Sequence, residues 1–356
     1  VLPTLKRYPE RKNDLLQAWD SADTLILEHL NGIPLDGKRI LIVNDAFGAL
    51  SCALVGLNFT VYTDSYLSAQ AIRLNSEKPV SMIHRLNDMT GIYDFVLFKV
   101  PKNMSFFEDT LAHLSAHLRP YSKIICGYRV KHTSKTAFDL LARYIGPTTT
   151  SLAQKKARLI FADFQKKEVS STYPHQVLIE GFEKPFVNHS NLFSREKLDI
   201  GTRFLLEHIP QANYRSILDL GCGNAIIGIA AKQLNPGAKL IFTDESMMAI
   251  ESAQANYSAY FKDEAQFLWT HGCKAVRDQS VDLALCNPPF HQETTVGDFT
   301  AWQMFMDARR VLLPNGRFRV IGNSHLQYQI SLKKIFGNFE IIEKNSKFTI
   351  IDSINH

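Results

Sequence analysis

The chain carries one order of apolar segments and turns twice, and this repeat narrows its fold more than any other feature. In the C-terminal half, Ser216–Leu220 reads as a short buried strand that runs into a glycine-rich turn and a helix over Ile226–Leu234. Strands follow at 238–243, 266–270, Val281–Cys286 and 316–322, with helices at Met247–Tyr260, 300–312 and 326–336. A hairpin of 339–343 and 348–352 closes the series. The N-terminal half repeats this order: strands at 39–44, 58–63, 93–100 and Lys123–Arg129, helices at 48–55 and 134–144, and a hairpin of 148–153 and 157–164 across Gln154-Lys155-Lys156. Strands that alternate with helices predict an α/β fold with parallel sheets. A complete second copy predicts an internal duplication rather than one large sheet.

A chain of 356 residues accommodates two such domains. The periodicity breaks near 165–190, which sets the expected domains at 1–170 and 181–356. No apolar run approaches the roughly 18 residues of a membrane span, and residues 1–11 hold no apolar signal core. Cys52, Cys126, Cys222, Cys273 and Cys286 form no Cys-x-x-Cys pair and no His cluster at metal spacing. The expectation is five buried thiols, no metal and a reducing cytoplasm. Charge is uneven: residues 1–160 carry 20 Lys and Arg against 14 Asp and Glu, the remainder 20 against 21. Either this is ordinary scatter, or the first half grips a polyanion.

Asp219-Leu-Gly-Cys-Gly-Asn224 ends a strand and opens a helix. Gly221 and Gly223 let the backbone turn sharply and approach a ligand, at the strand ends where such sheets bind ligands. Ile226 stands at the third glycine position of the dinucleotide fingerprint, which counts against a pyrophosphate. An unliganded turn remains open; Asp-x-Gly-x-Gly resembles the first motif of S-adenosylmethionine enzymes. Asp244 ends the next strand, where its carboxylate could accept two ribose hydroxyls or cap the following helix. The turn of Thr270, His271 and Gly272 is the expected adenine pocket, and Gly201 and Thr202 are expected over the methionine end of the cofactor.

Asn287-Pro288-Pro289-Phe290 follows the fourth strand directly. Two prolines stiffen the turn, so the Asn287 amide oxygen and the Pro288 carbonyl can accept both hydrogens of one NH₂ group. Such acceptors pull an amine out of conjugation and aim its lone pair at a methyl donor. Holding the reactants in line then lowers the barrier, by at most roughly 7–11 kcal/mol. Phe290 offers a face on which a base could stack. A plain proline-rich loop is the alternative, which the accompanying Asp-x-Gly-x-Gly disfavours.

The first half lacks this equipment. Asp45-Ala-Phe-Gly48 has one glycine, and Lys99-Val-Pro-Lys102 stands where Asn-Pro-Pro-Phe is expected, although Asp64 is kept. Substrate recognition, dimerisation or structural support are the roles open to it. Expected phosphate contacts are Lys99, Lys102, Lys123, Arg129, Lys131, Lys135, Lys155, Lys156 and Arg158.

Together these residues resemble two related families of bacterial ribosomal RNA guanine-N2 methyltransferases. Segments 192–194 and 198–202, Asp219-Leu-Gly-Cys-Gly223 and Asn287-Pro-Pro-Phe-His291 resemble the half that both share. Leu16-Gln-Ala-Trp19, Asn44-Asp-Ala-Phe-Gly-Ala-Leu-Ser51, Phe98-Lys-Val-Pro-Lys102 and Gly146-Pro-Thr-Thr-Thr150 are similar to the N-terminal half of the large-subunit (23S) enzymes. The resemblance covers nearly the whole chain. It implies two tandem class I (Rossmann-like) methyltransferase domains, each a mostly parallel seven-stranded sheet flanked by helices, the first degenerate. It also implies S-adenosyl-L-methionine as cofactor and a guanine of protein-free 23S rRNA as substrate; the sequence leaves the oligomeric state open, with a monomer the favoured expectation. A 16S rRNA enzyme, a protein-glutamine or DNA adenine methyltransferase, and a non-enzymatic RNA-binding assembly protein are the rival readings.

Overall fold

A computed structural model describes residues 4–10, 16–132, 135–165, 169–289 and 295–356. The chain divides into two compact units, residues 1–173 and 174–356.

The first unit opens with α1 (Ser21–Leu30), then β1 (Ile40–Val43), α2 (Ala49–Ala53), β2 (Phe59–Tyr62), α3 (Tyr66–Asn75), β3 (Met82–Ile83) and β4 (Phe95–Lys99). It continues through α4 (Met104–Ser115), β5 (Lys123–Arg129), α5 (Lys135–Tyr144), β6 (Thr148–Thr150) and β7 (Ala157–Asp163). Its seven strands lie in the order β3-β2-β1-β4-β5-β7-β6, with β7 antiparallel to β5. All four residues of β1 are buried, as in a parallel strand covered by helices on both faces. The third strand, which the sequence reading left unplaced, is only two residues long.

The second unit begins with a hairpin of β8 (His175–Val177) and β9 (Phe186–Asn188) and the helix α6 (Ile200–Leu206). There follow β10 (Ser216–Leu220), α7 (Ile226–Leu234), β11 (Lys239–Asp244), α8 (Met247–Tyr260), β12 (Gln266–Trp269) and β13 (Val281–Cys286). Last come α9 (Thr295–Val311), β14 (Leu312–Asn323), α10 (Tyr328–Phe336), β15 (Glu340–Lys344) and β16 (Phe348–Ile354). The sheet order β12-β11-β10-β13-β14-β16-β15 matches the first unit strand for strand, again with one antiparallel partner near the end. Two apolar clusters cover this sheet: Ile227, Phe242, Tyr257 and Leu285 belong to one, Leu218, Phe305, Phe318 and Leu332 to the other.

In both units the order reverses at the first strand, which has the second strand on one side and the fourth on the other. Crossovers to left and right part there, and a crevice opens beyond the carboxyl ends.

Strand register corrects two pairings drawn from the sequence. Val43 pairs with Tyr62 and Phe98, as Leu220 pairs with Thr243 and Cys286. Counting onward, Thr63 rather than Asp64 occupies the place of Asp244, and Ile42 rather than Asp45 that of Asp219. Ser65 and Ser246, three residues beyond Tyr62 and Thr243, both cap the next helix. Asp45 instead accepts from the backbone N–H groups of Gly48 (3.1 Å) and Ser51 (2.8 Å), tying the preceding loop to the first turn of α2.

Candidate methyl-transfer site

At the carboxyl end of β10, Asp219 is fully buried. Its Oδ2 accepts from the Gly228 N–H of α7 at 2.8 Å. Gly228 allows this approach, because a Cβ there would lie 2.2 Å from the Phe242 ring. Asp219 Oδ1 is buried with no hydrogen-bond partner among the described residues. Burial pushes the carboxyl up to about 8, opposed by the Gly228 N–H and reinforced by the charge of Asp244. An unsatisfied buried acceptor beside a crevice calls for a donor from outside.

The glycine turn has φ of 72° at Gly221 and 52° at Gly223, where a side chain would be strained. Gly223 N–H donates to Asp244 Oδ2 (3.0 Å) and Ser246 N–H to Asp244 Oδ1 (2.9 Å), which fixes the acid at the lip of the turn. Ser246 caps α8 by accepting from Ala249 N–H, so the capping role considered for Asp244 belongs to its neighbour.

Beyond β12, Thr270 and His271 are buried, and burial lowers the His271 pKa below its usual value. Gly272 has φ of 54°, and a Cβ there would lie 2.2 Å from Asp307 Oδ2. That carboxylate accepts from Cys273 N–H at 3.2 Å. Helix α9 thus brings an acid to the turn where the sequence showed only His271. One turn earlier on α9, the Met304 methyl group would lie 3.3 Å from a Cβ at Gly221. Sequence reading missed both residues; their i, i+3 spacing on one helix face is the one signal that could have paired them.

Asn287 directly follows β13. Its Nδ2 donates to Thr202 Oγ1 (2.8 Å) and approaches Asp199 Oδ2 (3.4 Å), while its Oδ1 is buried with no partner among the described residues. Asp199 caps α6 by accepting from Thr202 N–H at 2.9 Å. Gly201 serves this packing: a Cβ would lie 3.0 Å from Asp199 Oδ2 and 3.1 Å from the Phe348 ring. Pro288 is buried and Pro289 exposed; Phe290 lies outside the described residues.

In the first unit the same three positions hold Lys99, Asp20 and Asp23. Lys99, following Phe98 as Asn287 follows Cys286, places Nζ 3.0 Å from Asp20 Oδ1 and 2.6 Å from Asp23 Oδ1. Asp20 caps α1, and Asp23 Oδ2 accepts in return from the Asp20 N–H at 2.8 Å. Burial, with the Asp20 charge adding to it, raises Asp23 to about 6 against the pull of Lys99. The expectation that Lys99 meets phosphate is therefore corrected: its ammonium is consumed by two internal carboxylates.

The other expected phosphate contacts do not form one surface. Lys102, Arg129, Lys131, Lys135, Lys155 and Lys156 are exposed, and Arg158 is half-buried. Val130 N–H donates to the Lys156 carbonyl at 2.9 Å, holding the 155–156 turn beside Arg129 and Lys131 at the carboxyl end of β5. Lys123 begins β5, six residues from Arg129 and so about 20 Å away at the opposite edge. Arg73, Lys78 and His84, absent from the expected set, line a depression around β3. Among the described residues there is no cluster of metal-ligating side chains and no helix long and apolar enough to cross a membrane.

Comparison with known proteins sets first the class. Residues 183–352 match the methyltransferase small domain, so the second unit is a methyltransferase domain. Residues 2–166 match the RLMG N-terminal domain. Ribosomal RNA large subunit methyltransferase G of Psychromonas ingrahamii is 40% identical, over 98% of this chain and 96% of its own. The protein of that name from Pseudomonas fluorescens is 41% identical, over 98% and 96%. The chain belongs to the ribosomal RNA large subunit methyltransferase G family. Among solved structures, a 16S rRNA N2 methyltransferase of T. thermophilus, in complex with AdoMet and guanosine, superimposes with a TM-score of 0.80. It is 19% identical and covers 95% of this chain and 92% of its own, a likeness of fold.

Proposed function

We propose that the chain transfers a methyl group from S-adenosylmethionine to the exocyclic N2 of a guanine in 23S rRNA, with Asn287 as the acceptor that orients the amine. One observation carries this reading: Asn287 engages its NH₂ with Thr202 and Asp199 and keeps a carbonyl oxygen that nothing within the described residues satisfies. The names of the relatives support the choice of large-subunit RNA, and the 16S enzyme of like fold supports guanine N2.

The residues of the crevice fit the cofactor. Asp219 Oδ1 lacks a donor among the described residues, Asp244 lies at the lip of a glycine turn with room for a ligand, and Met304 and Asp307 approach Gly221 and Gly272. When bound, S-adenosylmethionine supplies an electrophilic methyl group on a sulfonium. Asn287 Oδ1 accepts one N–H of the guanine amine and the Pro288 carbonyl the other, which turns the nitrogen lone pair out of the ring plane. Held in this way, the amine nitrogen would take the methyl group that the sulfonium supplies, leaving the neutral thioether, and its surplus proton would pass to water. Neither acceptor needs to be a base, because the nitrogen is acidic only once alkylated.

A guanine within a duplex hides its amine, and flipping it out costs a few kcal/mol. The basic rim of the first unit, from Lys102 through Arg129 and Lys131 to Lys156, provides phosphate contacts that offset this cost. On this reading residues 1–170 recognise RNA and 181–356 catalyse. The test incubates labelled cofactor with separately purified 16S and 23S rRNA. Label is expected in 23S rRNA alone, recovered as N2-methylguanosine. Asn287→Ala should lower turnover by about 100-fold or more while cofactor affinity stays within about twofold. Wild-type turnover by that variant, or label in 16S rRNA alone, overturns the proposal.

A further inference from the structure

An asparagine amide has nearly the same shape in its two flips, yet only one of them suits the chemistry. With Oδ1 toward the substrate the side chain accepts from an amine; with Nδ2 there it offers a second donor and repels the N–H groups it should hold. Something must select the flip, and the hydrogen bonds around Asn287 do so by a fixed chain of donation.

The chain starts at Asp199. Its Oδ2 can only accept, and it does so from Thr202 N–H at 2.9 Å. Thr202 Oγ1 lies 3.3 Å from the same oxygen and donates its one proton there. The hydroxyl oxygen is left as an acceptor, and Asn287 Nδ2 meets it at 2.8 Å, with Asp199 Oδ2 a further acceptor at 3.4 Å. Reversing the amide would set Oδ1 against a hydroxyl whose proton is committed and against a carboxylate oxygen. Both contacts are repulsive, so the carbonyl oxygen is driven to the other side, where it is buried and without a partner among the described residues.

The first unit supports this coupling independently. There too the cap and third residue of the leading helix, Asp20 and Asp23, bond the side chain that follows the fourth strand. The connection survives even where that side chain is a lysine.

We propose that Asp199 and Thr202 are positioning residues that hold the Asn287 amide in the flip with its oxygen toward the substrate amine. The proposal rests on the reading of Asn287 given above, and it replaces the expectation that Thr202 contacts the cofactor.

The test measures kcat and KM on 23S rRNA, and S-adenosylmethionine affinity by calorimetry, for full-length wild type, Thr202→Val, Thr202→Ser and Asn287→Ala. Valine keeps the shape of threonine and removes the acceptor. Its kcat is expected to fall about tenfold, the worth of one hydrogen bond, with KM and cofactor affinity within about twofold. Serine restores the acceptor and should recover kcat to within about twofold of wild type. That rescue distinguishes positioning from packing, because serine packs less well than valine, and rates per folded molecule keep the comparison valid if valine lowers Tm. Wild-type kcat in Thr202→Val alongside an inactive Asn287→Ala overturns the positioning role and leaves Asn287 standing. Weakened cofactor binding at unchanged kcat overturns it in favour of a cofactor contact, and serine no better than valine overturns it as well. A fully active Asn287→Ala removes the reading beneath it.

Discussion

The two units hold three polar side chains at the same point of equivalent sheets and use them in opposite ways. In the second, a carboxylate, a hydroxyl and an amide pass donors along until one carbonyl oxygen remains unmet among the described residues. In the first, two carboxylates enclose an ammonium, so the cation has acceptors on two sides and is largely neutralised from within. The strand order and helix caps are shared, and the sheet does not distinguish the two. What separates them is whether the polar group after the fourth strand is completed from within. On the function proposed above, the second unit keeps one group open for its substrate, whereas the first closes on itself as an ion pair.

The largest test of this contrast is Lys99→Ala. It strands two carboxylates around a vacated point, and removing one partner of a buried pair costs about 3–5 kcal/mol. Asp20 reaches solvent while Asp23 is nearly buried, so the lower end, about 3 kcal/mol, is expected in urea unfolding of the first unit. Lys99→Asn combined with Asp23→Thr copies the arrangement of the second unit and should recover most of the loss. If Lys99→Ala were as stable as wild type, the ion pair would not be what closes that site.

A second substitution carries the contrast the other way. Thr63 holds the place of Asp244, so Asp244→Thr puts the first unit's residue into the crevice. Hydrogen bonds to a charged acceptor contribute roughly 1.5–3 kcal/mol, and S-adenosylmethionine affinity should fall by about tenfold to 100-fold. Unchanged affinity by calorimetry would remove Asp244 from the cofactor.

Much of this was legible in sequence, and the exceptions share a cause. Helices α7 and α8 and strand β13 end where apolar periodicity and Gly, Asn and Asp turns place them, because their limits are local. Strand β14 begins at Leu312 and runs through Pro314-Asn315-Gly316, which reads as a turn; its pairing with β13 jumps register between Val281 and Leu283, and that irregularity absorbs the three residues. Asp219, Asp244 and Asn287 were legible because their motifs are contiguous. Asp307 was not, since it reaches Gly272 from a helix 35 residues downstream, nor was the Lys99–Asp23 pair, whose partners lie 76 residues apart.

Asp219 yields a smaller effect, set by pH. Its folded pKa is raised to about 8 from 3.8, so between those values the folded protein holds a proton that the unfolded chain has lost. Stability from this group is therefore greatest below pH 4 and declines as pH rises towards 8. A cationic ligand beside Oδ1 favours the ionised form. Cofactor binding at pH 7 should then release protons, seen as a buffer-dependent enthalpy, and affinity should rise up to about pH 8. Asp219→Asn should abolish the buffer dependence; the first unit, with Ile42 at this position, has no counterpart to it.

The smallest effect concerns the turn of Lys155 and Lys156, with φ of 48° and 64°. Two consecutive left-handed residues make the tight hairpin that Asn-Gly forms best, and a lysine in that region costs roughly 1–2 kcal/mol. Lys155 recovers little from Glu28, 3.7 Å away with both side chains exposed. Strain kept in a hairpin that other residues would close more easily points to a use for the two charges. Replacing the pair, Lys155→Asn with Lys156→Gly, should stabilise the first unit by about 1 kcal/mol. The same change should weaken 23S rRNA binding several-fold and lower the slope of log affinity against log salt by roughly 1.4–1.8, since two phosphate contacts are lost. Lys123→Ala, at the other end of β5, provides the control: one positive charge is removed rather than two, and binding should barely move. If the Asn-Gly hairpin were more stable and bound RNA as wild type does, the lysines would be ordinary surface charges and the RNA-facing edge would have to lie elsewhere, with Arg73, Lys78 and His84 around β3 the next group to neutralise. If instead Lys123→Ala weakened binding as much as the double change, the contact would depend on net charge rather than on which edge of the sheet carries it.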